Sequence, residues 1–236
     1  AVFSVGGPAL AGWSLDRLPP GGIQVDEASG LPRAGLEALL DRIARETADR
    51  PFIATRAKWL AALFDHVRLA VCPTDLFVHW HPDGELLPRR RNQRVARFAA
   101  SAPERAMVNA WTNRTGGGWL ARLDTSHTCP DWARILERGP KGLADDARKR
   151  RETAKTDDER LFLDCVAEVY DALARLCVRW AAVAEKQGMA ACADALRAIA
   201  ERPPQTLREA LQLAFIYDRA QEDEGECCRS QGLFDR

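Results

Sequence analysis

Seven apolar side chains, Phe162, Val166, Val169, Leu173, Leu176, Trp180 and Val183, recur at alternating steps of four and three residues. That spacing places all of them on one stripe of a single long helix. Ahead of them, Thr156-Asp157-Asp158-Glu159 has the Thr-x-x-Glu form of a capping box, in which two side chains satisfy the free amides of a helix start. Behind them, Gly188 stands where a helix ends in a left-handed residue. A second helix is predicted over Met189–Glu201 and must stop at Pro203-Pro204, because proline lacks the amide donor. Thr206-Leu207-Arg208-Glu209 repeats the capping-box form and opens a third helix to about Asp218. Three helices in quick succession favour ordinary bundle packing over a coiled coil.

Upstream the pattern is looser. Residues 1–30 are rich in Gly and Pro (Gly6-Gly7-Pro8, Pro19-Pro20-Gly21-Gly22) and are expected to be irregular. Leu36, Leu39, Leu40 and Ile43 mark a helix over Ala34–Glu46, and Trp59, Leu60, Leu63 and Phe64 a second over Ile53–Val67. Asp75–Trp80, bounded by Pro73 and Pro82, reads as the best strand. Pro82–Arg94 is polar, and Gly116–Gly118 marks a turn, since it lacks the lysine and the strand that a phosphate cradle needs. The fold class is mostly α with a few short strands, and residues 31–236 form one helical unit behind the irregular segment.

Composition excludes several functions. The 236 residues are 46% hydrophobic, and 34 basic side chains balance 34 acidic ones. That is a globular composition, without the charge excess of a disordered chain or a phosphate-binding surface. The basic runs Arg89–Arg91 and Arg148–Arg151 and the acidic run Glu222–Glu226 read as solvated faces. No apolar run reaches the roughly 20 residues of a membrane span, and Ala1–Trp13 carries no basic residue ahead of its apolar stretch, so it is not a secretory signal. Seven cysteines, at 72, 129, 165, 177, 192, 227 and 228, include no C-x-x-C pair and fit a reduced, cytoplasmic protein. Both ends hint at a piece of a longer chain.

Self-contained catalytic motifs are missing: there is no G-x-S-x-G, no G-x-x-x-x-G-K-[ST] and no H-E-x-x-H. His79 and His81 have a strand spacing that can chelate zinc, but no third ligand lies close by except Asp83, Glu85 or distant cysteines. They read as edge-strand histidines, and no metal site is assigned. Glu222, Asp223, Glu224 and Glu226 lack the alternating ligands of a calcium loop. Two places keep their interest. Ser126-His127-Thr128-Cys129-Pro130-Asp131-Trp132 sets a histidine and a cysteine just before a helix start, and Cys227-Cys228-Arg229-Ser230-Gln231-Gly232 forms a polar turn after a buried helix.

Longer patterns are more telling. Pro203-Pro204-Gln205-Thr206-Leu207-Arg208-Glu209-Ala210-Leu211-Gln212, followed by Ser230-Gln231-Gly232-Leu233-Phe234-Asp235, resembles the P-P-x-T-[FL]-x-E-A-L-Q helix and S-x-G-R-[FL]-D turn of the pyruvate formate-lyase-like glycyl radical enzymes. His127 through Asp131-Trp132, Ile135-Leu136 and Gly139–Gly142 is similar to that family's H-x-x-x-D-[YF]-x-x-[VI]-L-x-x-G-x-x-G segment. Thr55-Arg56-Ala57 and Pro73–Val78 resemble the T-R-A … [DE]-[DE]-L-[IF]-V-G segment that precedes it. The three matches occur in the family's order across about 50–236.

The resemblance implies a radical lyase, dehydratase or formate acetyltransferase-like enzyme acting on a small polar metabolite without oxygen. It implies a ten-stranded barrel wrapped by helices and a homodimer at full length. A glycyl radical, installed by an iron–sulfur activating enzyme that uses S-adenosylmethionine, passes to a cysteine on a central loop. In the family both radical loops lie downstream of the S-x-G-x-F-D turn, so this chain is expected to be the N-terminal, mostly helical third, with no catalytic residue and no bound cofactor of its own. Its partner is the remainder of the barrel, with no role for nucleic acid or membrane. Substrate contact is implied at His127, where dehydratase-type members have histidine, and at Cys227 and Cys228, where that type has His-Ser. Leu233 and Gln231 also depart from the family turn. The alternative is an inert helical binding module or remnant.

Overall fold

A computed structural model of the chain describes residues 22–90 and 130–224. Strand β1 (Gln24–Asp26) is followed by helices α1 (Arg33–Glu46) and α2 (Phe52–His66) and strand β2 (Leu69–Val71). After residue 130 come α3 (Trp132–Arg151), α4 (Asp157–Lys186), α5 (Ala190–Glu201) and α6 (Leu207–Glu224). The architecture is mostly α, with β1 and β2 antiparallel in the register Gln24↔Val71 to Asp26↔Leu69.

Helix α4 is the axis, and α2, α3 and α5 pack along it. The Thr156 hydroxyl accepts from the Glu159 amide at 3.1 Å, and the Glu159 carboxylate accepts from the amides of Thr156 (3.3 Å) and Lys155 (2.7 Å). Those backbone donors hold the Glu159 carboxyl below its usual range. Thirty residues later, Gly188 takes φ +73° and the Met189 amide closes on the Ala184 carbonyl at 2.9 Å. The apolar stripe is buried only in its second half. Leu173, Leu176, Trp180 and Val183 lie in the core, whereas Phe162 is 51% exposed and Val166 and Val169 are half-buried. Small residues let α2 approach the first half, where Ala54, Ala57 and Cys165 make a satellite cluster.

Three expectations need correction. Asp75–Trp80 is not a strand; only Trp80 bridges to Ala70, and Val78 hydrogen-bonds a side chain instead. The segment expected to be irregular over 1–30 ends in β1, which pairs with a strand more than forty residues away and so leaves no local signal. Helix α6 continues past Asp218 to Glu224, because its acidic end is partnered rather than solvated.

The four described cysteines, Cys72, Cys165, Cys177 and Cys192, are buried free thiols. Burial pushes the Cys177 thiol up to about 12, which makes it a small apolar side chain. Among the described residues, no helix is long and apolar enough to cross a membrane.

Candidate functional site

The conspicuous sequence patterns turn out to be joints between elements. Gln212, fully buried on α6, accepts from the Val78 amide through Oε1 at 3.1 Å and donates from Nε2 to the Val78 carbonyl at 2.8 Å. Its amide group thus replaces one rung of a sheet ladder, which explains why a β-prone segment needs no neighbouring strand. Three residues earlier, Glu209 takes both guanidinium nitrogens of Arg202 (2.8 and 2.9 Å) and the Gln205 amide (2.7 Å). Thr206 caps the Glu209 amide at 3.2 Å, and the Glu209 carboxylate turns back to the backbone amides at the helix start as well as to Arg202. That ion pair holds the Glu209 carboxyl below its usual range.

Gly139 connects α3 to the same turn. It sits at φ +61° in a kink, and a Cβ there would lie 3.2 Å from the Arg202 carbonyl and 3.3 Å from Pro203 Cα. Both the backbone conformation and the close approach require glycine. In the Thr55-Arg56-Ala57 segment, the Thr47 hydroxyl gives its hydrogen to the Ile43 carbonyl (2.8 Å). The Thr55 hydroxyl is therefore the donor in the 2.7 Å bond between the two threonines. Arg56 reaches across to Glu224 at the end of α6.

A buried polar network lies beside these joints. The Asp83 amide donates to His81 Nδ1 at 3.3 Å, which leaves the imidazole hydrogen on Nε2 to reach Asp223 Oδ2 at 2.9 Å. Arg219 grips the other Asp223 oxygen with Nε (3.0 Å) and Nη2 (2.6 Å). His81 and Asp223 are fully enclosed, and Asp83, also enclosed, has Arg33 at 3.5 Å and Arg68 at 3.7 Å. The acidic run around Asp223 suggests a solvated face, whereas an arginine one helical turn earlier is the signal for a fixed pairing.

His79 does not join His81 around a common point. Its ring packs on Phe215, which itself stacks on Phe77, while His81 faces Trp180. Burial lowers the His79 pKa. No group of three or more His, Cys, Asp or Glu side chains among the described residues is placed to hold a metal ion.

Between α2, α4 and α6 runs an apolar groove of about 280 Å³, with Phe162, Val169, Tyr170 and Tyr217 on its walls and Arg56 and Glu224 at one end. Past Tyr170 and Tyr217 a second hollow of about 300 Å³ continues to Asp131 and Arg134 at the start of α3. The two phenols meet at 3.3 Å on the boundary, and burial raises the Tyr170 pKa. The Trp132 ring packs edge-on against Tyr217 at 5.7 Å, fixing the first turn of α3 on α6. Asp131 caps that turn by accepting from the Arg134 amide at 3.2 Å.

The residues singled out for substrate contact, His127, Cys227 and Cys228, lie outside the described residues. Their chain anchors do not: His127 precedes Trp132 by five residues, and Cys227 follows Tyr217 by ten.

Comparison with known proteins bears on these joints. A family model described as pyruvate formate lyase-like matches residues 89–226, a range that includes Gly139, Glu209, Gln212 and Asp223. Among solved structures, the glycerol-bound form of the B12-independent glycerol dehydratase from Clostridium butyricum aligns at 14% identity with a TM-score of 0.54. The alignment covers 80% of this chain and 31% of that one, so this chain spans less than a third of the dehydratase. At that identity the likeness is one of fold. No curated protein matches the sequence. With more than half of its residues covered by the family model, the chain belongs to the pyruvate formate lyase-like family.

Proposed function

We propose that this chain forms the N-terminal helical part of a glycyl radical enzyme, a lyase, dehydratase or formate acetyltransferase-like protein acting anaerobically on a small polar metabolite in the cytoplasm. The observation that carries this reading is the contact between Trp132 and Tyr217, 5.7 Å apart. Trp132 follows the segment holding His127 and Tyr217 precedes the segment holding Cys227 and Cys228, which supports a site shared by the two.

In this reading His127 hydrogen-bonds a substrate hydroxyl, since an imidazole can both donate and accept. Cys227 and Cys228 line the same site. Thiols are weak hydrogen-bond partners. The glycerol in the aligned dehydratase is therefore a poorer guide to this substrate than a less hydroxylated alcohol. Among the described cysteines, Cys177 and Cys192 do not fit the radical carrier. Cys177 is wholly enclosed, and Cys192 spends its hydrogen on the Leu76 carbonyl at 3.3 Å. As the family resemblance implies, the glycyl radical and the thiyl cysteine belong to the remainder of the barrel, and no chemical step is assigned to this chain's thiols. The partners are that remainder, an S-adenosylmethionine iron–sulfur activating enzyme and a second copy of the complete enzyme.

The test is anaerobic activation of the complete gene product carrying this chain. A glycyl radical doublet in electron paramagnetic resonance is expected, and its absence after activation refutes the reading. His127→Ala should keep the doublet and lose turnover.

A further inference from the structure

Residues 73–83, between β2 and the buried pair Leu86-Leu87, form a strap that side chains hold in place. Among the described residues, its single backbone–backbone hydrogen bond to another element runs from the Ala70 amide to the Trp80 carbonyl at 3.2 Å. Arg208 and Cys192 both reach the Leu76 carbonyl, at 3.2 and 3.3 Å. Gln212 takes the two polar groups of Val78, Asp223 accepts from the His81 ring, and Arg33 and Arg68 flank Asp83. Phe215 stacks on Phe77 at 5.0 Å. Arg208, Gln212, Phe215 and Asp223 share one face of α6, at steps of four, three and eight residues. Inside the strap, Val78 is the one apolar side chain that the core encloses, whereas Leu76 is 69% exposed.

Strand β2 has two edges. β1 pairs along one, and Ala70, opposite Val25, turns its amide away from β1 to the Trp80 carbonyl. The strap thus covers the outer edge, where an added strand would otherwise extend the sheet. We propose that residues 73–83 are a detachable guard of this edge: the strap lifts as one unit while the helices around α4 stay folded. This goes beyond the enzymatic reading and does not depend on it. The energetics favour lifting over unfolding. Hydrogen bonds from the strap to α5 and α6 are exchanged for bonds to water, so each contributes little net stability. Val78 is the one enclosed apolar side chain to be given up, while Leu173, Leu176, Trp180 and Leu196 stay in the core. Segments with few buried apolar contacts open at a lower free energy than the whole fold.

Cys192 on α5 lies against the strap, buried with its thiol on the Leu76 carbonyl, so lifting uncovers it. The measurement is native-state alkylation of the full chain across sub-denaturing urea. It is read by mass spectrometry on the tryptic peptides 187–197 for Cys192 and 176–179 for Cys177. In the parent chain Cys192 should react at least about tenfold faster than Cys177, which is wholly enclosed in the core. Its rate should rise less steeply with urea, because lifting the strap exposes less surface than unfolding the bundle. Gln212→Leu, which releases Val78, should speed Cys192 by about thirtyfold or more. Thr156→Ala, which removes the cap of α4, should speed Cys177 about fivefold and leave Cys192 unchanged, since the cap survives lifting. Cys192 and Cys177 rates within about twofold of each other, or an equal effect of Thr156→Ala on both, show that the strap leaves only with the whole fold and overturn the proposal. So does a Cys192 rate that Gln212→Leu does not change, which would mean that the thiol is reached past a closed strap.

Discussion

Replacing Gln212 with leucine tests whether the loop over residues 73–80 is held by one side-chain amide rather than by sheet formation. Leucine has nearly the same bulk, so the substitution removes two hydrogen bonds and leaves little cavity. The Val78 amide and carbonyl lose partners at 3.1 and 2.8 Å, and Val78 is fully buried, so water cannot replace them. An orphaned buried polar group costs about 1–3 kcal/mol, and two of them about 2–6 kcal/mol. Against a typical total of about 5–15 kcal/mol that is a large loss. It corresponds to a fall in Tm of roughly 4–24 °C for a domain of this size. Chemical denaturation gives the global figure. Hydrogen exchange at the Val78 amide, followed on a peptide covering 73–80, gives the local one. The Gln212→Leu variant should be less stable by several kcal/mol, with exchange at Val78 accelerated before any change in α4. A loss below about 0.5 kcal/mol, within the range of ordinary surface substitutions, with unchanged exchange would refute the reasoning.

Other substitutions address separate joints. Gly139→Ala should cost about 1–3 kcal/mol in thermal denaturation, since alanine at φ +61° is strained and its Cβ meets the Arg202 carbonyl. Thr156→Ala should cost about 1 kcal/mol by removing the cap of α4, and Thr156→Ser should restore it. Asp223→Ala leaves the enclosed His81 Nε2 without its partner and takes from Arg219 one of its two carboxylates, Glu222 remaining, and should destabilise by about 1–3 kcal/mol, more than Asp223→Asn. Glu209 has a lowered pKa, so its contribution is present above its unfolded value, near 4.5, and is lost as pH falls through the lower folded value. Glu209→Gln should therefore be less stable than the parent at neutral pH and lose less stability on acidification below about pH 4.5, measured by urea titration across that range.

The helices were legible because their apolar residues repeat at 3.6-residue spacing and their ends carry caps; Thr156, Glu159 and Gly188 do in space what their order implies. That residues 75–80 would not pair as a strand was not legible. Their β-prone composition is real, but their backbone partner is a glutamine amide 134 residues away, which no local pattern encodes. The acidic end of α6 misled for a similar reason. Charge alone suggests solvent, whereas Asp223 is enclosed by His81 and Arg219, and Glu224 is claimed by Arg56 from another helix. At the candidate site, the helix start behind His127 could be read from Asp131 and Trp132. That Trp132 would meet Tyr217 could not, because the contact joins residues 85 positions apart.

The central claim is that α3 and α6 bring His127 and the Cys227–Cys228 pair to one site, and native thiols allow it to be measured. Cys129 lies two residues from His127, in the tryptic peptide 123–134, and Cys228 lies in the peptide 220–229. In a Cys227→Ser variant, a short bifunctional thiol reagent under native conditions should join these two peptides in good yield. The yield should collapse when the chain is unfolded before the reagent is added. If the two peptides are joined no better by the short reagent in the folded chain than in the unfolded one, the two segments do not share a site and the account is contradicted.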